Sequence, residues 1–115
     1  DLHSFPTRRS SDLQLVDDMI DTAGTITQAA LALQERGASK VICAATHAVF
    51  SGPAVERLNK SGMAEIIVTN TLPIRTAEPI DNLTVLSIAP LIARAINAVF
   101  RDGSVTSLFG GQAYK

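Results

Sequence analysis

The chain has 115 residues, 46% of them hydrophobic and 18% charged, with a formal net charge of −1; this is an ordinary globular composition for one domain with a modest core. With no basic excess and only 4% aromatic residues, neither an electrostatic footprint nor a base-stacking platform for nucleic acid is present. No apolar run nears the roughly 20 residues of a membrane span and no signal-peptide core is seen, so neither nucleic acid nor membrane is an expected partner, and the single cysteine, Cys43, fits a reducing, cytoplasmic setting.

Residues 1–13 read DLHSFPTRRSSDL. They carry no hydrophobic period and are similar to a translated sequencing-adaptor tract, so they are expected to be a leader foreign to the domain, the alternative being a genuine flexible N-terminal arm. The domain is then residues 14–115, and His3, inside the leader, is given no role. Leu15-Val16 leads straight into Asp17, Asp18, Met19, Ile20, Asp21, Thr22, Ala23, Gly24 and Thr25. A buried strand usually has about five or six residues, so the strand carrying this segment is expected to be truncated. Residues 26–36 have helical spacing, with Ile26, Ala29, Ala30 and Leu33 on one face and Gly37 as a natural stop. Residues 40–46 form a continuous apolar run, which predicts a strand buried on both faces, with Cys43 as a small buried hydrophobe. Pro53 opens a short helix at residues 54–59 that Gly62 ends. Residues 65–70 and 83–88 read as strands, separated by a loop with Pro73 and Pro79. Ala89-Pro90 starts a helix over residues 91–100, with Leu91, Ala95, Ala98 and Val99 on or near one face. The tail, residues 104–109, has strand propensity.

This order of elements predicts an α/β fold, a parallel doubly wound sheet with right-handed crossovers. Ligands of such sheets bind at the carboxyl ends of the strands, where residues 17–25, 46–52 and 69–73 would lie.

The first of these loops has the chemistry of a phosphate cradle. Thr22, Ala23, Gly24 and Thr25 offer consecutive backbone N–H groups at a helix start, and the threonine hydroxyls add donors without charge. Acids beside a phosphate would repel it, so Asp17, Asp18 and Asp21 are expected to meet something else, such as sugar hydroxyls or a divalent cation. Asp17 and Asp18, adjacent at a strand end, point to opposite sides of the sheet. The combination points to a sugar phosphate, against a bland reading in which the acids only end a strand and cap a helix. His47, the one histidine outside the leader, is expected to be a hydrogen-bonded loop residue rather than a ligand. A Gly-Lys-Ser/Thr phosphate loop, a Gly-x-Ser-x-Gly turn and a His/Cys metal spacing are not found.

Residues 16–25 resemble the phosphoribosyl-binding loop of the type I phosphoribosyltransferase fold. Three further segments, residues 45–54 (ATHAVFSGPA), 68–73 (VTNTLP) and 104–109 (SVTSLF), resemble the ribose-phosphate diphosphokinases, or PRPP synthetases. The resemblance implies transfer of a diphosphoryl group from ATP to the 1-hydroxyl of ribose 5-phosphate, giving PRPP and AMP, with Mg2+ required. It implies that Asp17, Asp18, Asp21, Thr22, Ala23, Gly24 and Thr25 bind ribose 5-phosphate, with no catalytic residue assigned among them and the metal ligands left open. It also implies that Ser104, Val105 and Thr106 belong to an allosteric site for ADP or phosphate, Thr106 standing where Ser is usual. Ser51-Gly52-Pro53 would lie near subunit contacts, and the assembly would be a homo-oligomer, a hexamer built from dimers. The family has two α/β domains, and this chain corresponds to the second, C-terminal one. The groups that bind most of ATP lie upstream, so the isolated chain is expected to be inactive. Two other readings remain: a non-catalytic PRPP synthetase-associated or PRPP-sensing regulator, and a phosphoribosyltransferase that consumes PRPP.

Overall fold

The computed structural model describes residues 12–101. The strands are β1 (Asp12–Ile20), β2 (Lys40–Ala48), β3 (Glu65–Thr69) and β4 (Leu83–Leu86). The helices are α1 (Gly24–Glu35), α2 (Ala54–Asn59) and α3 (Ala89–Phe100). Residues 1–11 of the expected leader and the segment holding Ser104, Val105 and Thr106 lie outside the described residues.

The four strands pair in the order β1-β2-β3-β4, every pair parallel. This is the expected parallel α/β sheet. Among the described residues the order runs without a reversal, and α1 and α2 contribute to one shared core. In β2, residues 41, 43 and 45 are buried while 42 and 44 between them are only half-buried. The register sets Cys43 beside Ile66 and Ala45 beside Val68, so these side chains share a face. Ala30 of α1 and Ala54 and Leu58 of α2 close that face. Burying Val41, Ile66 and Val68 contributes about 1.5–3 kcal/mol each. The continuous apolar run of β2 thus reflects one fully covered face and one partly covered face, not burial on both.

β1 departs most from its expectation. It is nine residues long, not a two-residue stub, and it takes in Asp12 and Leu13, which pair with Lys40 and Val41. Asp17 and Asp18 lie inside it, and it ends at Ile20. The acids fit because most of the strand is exposed and it pairs on one side only among the described residues. α1 begins at Gly24, two residues before its apolar period. It ends as predicted at Gly37, whose φ is 98°. There the Gly37 N–H donates to the Gln34 carbonyl (3.1 Å) and the Ala38 N–H to the Leu33 carbonyl (3.0 Å), the paired bonds of a Schellman stop. α3 has no buried residue, and Ile92, Ile96, Val99 and Phe100 are exposed along it.

Candidate functional site

The loop after β1 is held from behind, carbonyl by carbonyl. The Ile20 carbonyl accepts from the N–H groups of Val49 (3.0 Å) and Phe50 (3.1 Å), and the Asp21 carbonyl from that of Ser51 (2.9 Å). The Thr22 carbonyl accepts from the Arg57 guanidinium at 3.2 Å. The Ala23 carbonyl accepts from the Thr27 N–H (3.2 Å) and the Thr27 hydroxyl (2.6 Å). The Ser51 hydroxyl also donates to the Asp21 carboxylate. Four successive carbonyls are therefore committed to the protein's own donors.

The amides of the same run are not. Among the described residues none accepts a bond from the N–H of Thr22, Ala23, Gly24 or Thr25. Ala23 is the N-cap of α1 in a left-handed conformation (φ 67°, ψ 14°), and no side chain caps the helix. A helix start with open amides carries partial positive charge and attracts an anion. These groups line a cleft of about 170 Å³ together with Asp17, Met19, Ile20, Asp21 and Ile26. That volume is below the roughly 300–1,000 Å³ of cavities that enclose a drug-sized ligand, so the cleft suits a small polar group rather than a nucleotide.

Of the seven residues expected to bind substrate, six line this cleft: Asp17, Asp21, Thr22, Ala23, Gly24 and Thr25. Asp18 does not. The alternation of β1 turns it to the other side, and only its N–H joins the site, donating to Asp17 Oδ1 at 2.8 Å. The capping alternative for Asp21 does not describe this loop either, since its carboxylate binds Ser51 and Ala23 takes the cap position. No group of three or more His, Cys, Asp or Glu side chains able to hold a metal ion occurs among the described residues. The loop is therefore not a closed cation cage. One or two carboxylates with ligand oxygens completing the shell, the usual habit of Mg2+, is what Asp17 and Asp21 are able to offer.

His47 lies next to the loop in register, opposite Met19. Its Nδ1 is 2.7 Å from the Thr71 hydroxyl, within a network in which the Thr69 hydroxyl donates to the Thr46 carbonyl at 2.7 Å. It is hydrogen-bonded as expected, but it lies in the last residues of β2 rather than in a loop. Ser51 and Arg57, which hold the loop through their hydrogen bonds to Asp21 and Thr22, are not among the residues that the sequence assigns to it. They lie 30 and 35 residues from their loop partners, so no local pattern links them to it.

A parallel α/β sheet with an amide-lined anion cleft at a strand-to-helix turn is the general class that fold and site define. Within it, residues 12–110 match the phosphoribosyl synthetase-associated domain, and the chain belongs to that family. It is 59% identical over 98 residues to a ribose-phosphate pyrophosphokinase of Bifidobacterium longum, covering 85% of this chain and 29% of the relative. It is 60% identical over 98 residues to one of Streptomyces coelicolor, covering 85% of this chain and 30% of the relative. It also superposes on the crystal structure of phosphoribosylpyrophosphate synthetase from Mycobacterium smegmatis with a TM-score of 0.75 and 55% identity, over 83% of this chain and 32% of that one. The chain thus spans about 30% of the length of the relatives it matches.

Proposed function

We propose that this chain is the ribose-5-phosphate-binding part of a ribose-phosphate diphosphokinase, the enzyme that moves a diphosphoryl group from ATP to ribose 5-phosphate and releases AMP. In this reading the domain expected over residues 14–115, together with Asp12 and Leu13 of β1, is the C-terminal phosphoribosyltransferase-like domain. The observation that carries the proposal is the run of four amides, Thr22 to Thr25, that no described residue accepts from, in residues that line a small cleft together with Asp17 and Asp21. The amides and the threonine hydroxyls hold the 5-phosphate. The two carboxylates accept hydrogen bonds from ribose hydroxyls, and Mg2+ bound there would neutralise charge on the transferred group. The protein's task is orientation: a ribose held at its phosphate and its hydroxyls presents O1 in line with the β-phosphorus of ATP, which is most of what phosphoryl-type transfer demands. Asp18, directed away from the cleft, enters through its backbone N–H and its neighbour's carboxylate.

The intact loop favours this reading over a non-catalytic synthetase-associated or PRPP-sensing regulator. Residues 104–106 as an ADP or phosphate effector site, a cytoplasmic location and a dimer-based homo-oligomer belong to the same proposal. In the described residues, no helix is long and apolar enough to cross a membrane. Isothermal titration tests the central claim. Ribose 5-phosphate is expected to bind more tightly than inorganic phosphate or ribose alone, and Asp17→Asn and Asp21→Asn are expected to narrow that advantage. The chain by itself, with a cleft sized for the acceptor, is expected to release no AMP from ATP. Equal binding of phosphate and ribose 5-phosphate would remove the sugar-phosphate assignment.

A further inference from the structure

We propose that Arg57 is a positioning residue that sets the direction of the loop's anion-binding amides. The inference rests on the ribose-5-phosphate reading for its ligand but not for its geometry. Arg57 is an exposed residue on α2, whose Ala54 and Leu58 are buried in the core, so the helix that carries it is anchored while the guanidinium reaches the loop. There Nη1 donates to the Thr22 carbonyl at 3.2 Å. The peptide that joins Thr22 to Ala23 is trans, and in a trans peptide the carbonyl and the following N–H point in opposite directions. Pinning the Thr22 carbonyl toward α2 therefore aims the Ala23 N–H away from it, on the side of the cleft, whose lining includes Thr22, Ala23 and Gly24 but not Arg57.

The glycine at position 24 has its explanation in the same contact. Gly24 is not among the residues with positive φ, so its backbone does not require glycine. A Cβ placed there would stand 3.0 Å from Arg57 Nη1 and 3.8 Å from its Cζ. The missing side chain leaves room for the guanidinium to cross behind the loop. An added methyl group would press on the flexible end of Arg57, which must give by a few tenths of an ångström, and so would stretch the pin while leaving the positive charge nearby. Removing the guanidinium at position 57 and crowding it from position 24 should thus produce the same kind of defect, larger for Arg57→Ala.

The test uses the whole chain and two readouts. In the first, amide NMR without ligand, Arg57→Ala and Gly24→Ala are each expected to shift or broaden the Ala23 resonance while the thermal midpoint stays near that of the parent. In the second, titration with ribose 5-phosphate, Arg57→Ala is expected to bind about tenfold more weakly, the scale of one lost charge-assisted hydrogen bond, and Gly24→Ala to bind more weakly than the parent by a smaller factor. The double variant should bind no more weakly than Arg57→Ala alone, since the second change acts on a contact already gone. An unmoved Ala23 amide in Arg57→Ala overturns the proposal, as does a Gly24→Ala chain that binds like the parent. A parent chain that fails to bind ribose 5-phosphate, with the Ala23 amide still moved by both variants, overturns the ligand assignment and leaves the positioning role standing.

Discussion

Ala23 adopts a backbone conformation that a residue with a Cβ avoids, at a cost of roughly 1–2 kcal/mol. It persists because its neighbours hold it in place: Thr27 binds its carbonyl through both N–H and hydroxyl, Arg57 binds the carbonyl before it, and the residue is buried, 5% exposed. Strain of this kind, held by the surrounding structure, is common where a backbone must present its amides to a ligand. Cys43 is the opposite case, a residue whose chemistry the fold suppresses. Burial pushes its thiol up from 9.0 to about 11. The unfolded chain gives up that proton near 9 and the folded chain only near 11, so between those values the folded state binds more protons. Stability is then fully present below about pH 9 and falls as pH rises through the interval, by up to about 1.4 kcal/mol per pH unit. Urea unfolding of the parent and of Cys43→Ala across this range checks the sign. The variant, less stable at neutral pH because of the small cavity, is expected to lose less with rising pH. Parallel curves would show that the thiol does not titrate with folding.

At the level of elements, the physics of α1 is the most transparent. It starts where an anion would stabilise it and stops at a glycine the stop requires. Gly37 has φ 98°, and nothing lies within 4 Å of the point where a Cβ would stand, so Gly37→Ala meets no steric clash and its cost is conformational alone. A loss of about 1 kcal/mol is expected, seen as a lower denaturation midpoint with an unchanged slope. The stop was legible in the sequence because the signal is local: an amphipathic period followed by glycine. β2 and β3 were legible for a similar reason, since Val41 to Ala45 and Ile66 to Val68 are apolar without interruption. β1 was not, because Asp17 and Asp18 break its apolar pattern and nothing nearby reports that the strand is exposed and continues through them. In the site, the open amides and the acids are one continuous segment and could be read as a unit. Arg57 and Ser51 could not be, because their link to the loop is made only when β2 and α2 fold back beside it.

At the scale of the molecule, the decisive asymmetry among the described residues is between the two faces of the sheet. One is closed by α1 and α2. The other carries half-buried Ile42, Ala44 and Ile67, with Val16 75% exposed at its edge. α3 adds a second apolar surface, with Val99 68% and Phe100 83% exposed. Parallel sheets are found with both faces covered, and contiguous apolar surface on a small domain drives association. The 115-residue chain is therefore expected to self-associate in solution, consistent with the dimer-based assembly proposed above. Sedimentation velocity across a concentration series should show dimers or larger species already at about 10 µM, near −7 kcal/mol on the affinity scale. Ile96→Glu with Val99→Glu should shift the distribution toward monomer without lowering the melting temperature, because neither residue is buried in the folded chain. A parent chain that stays monomeric at every concentration would mean that the exposed faces are tolerated by the domain alone.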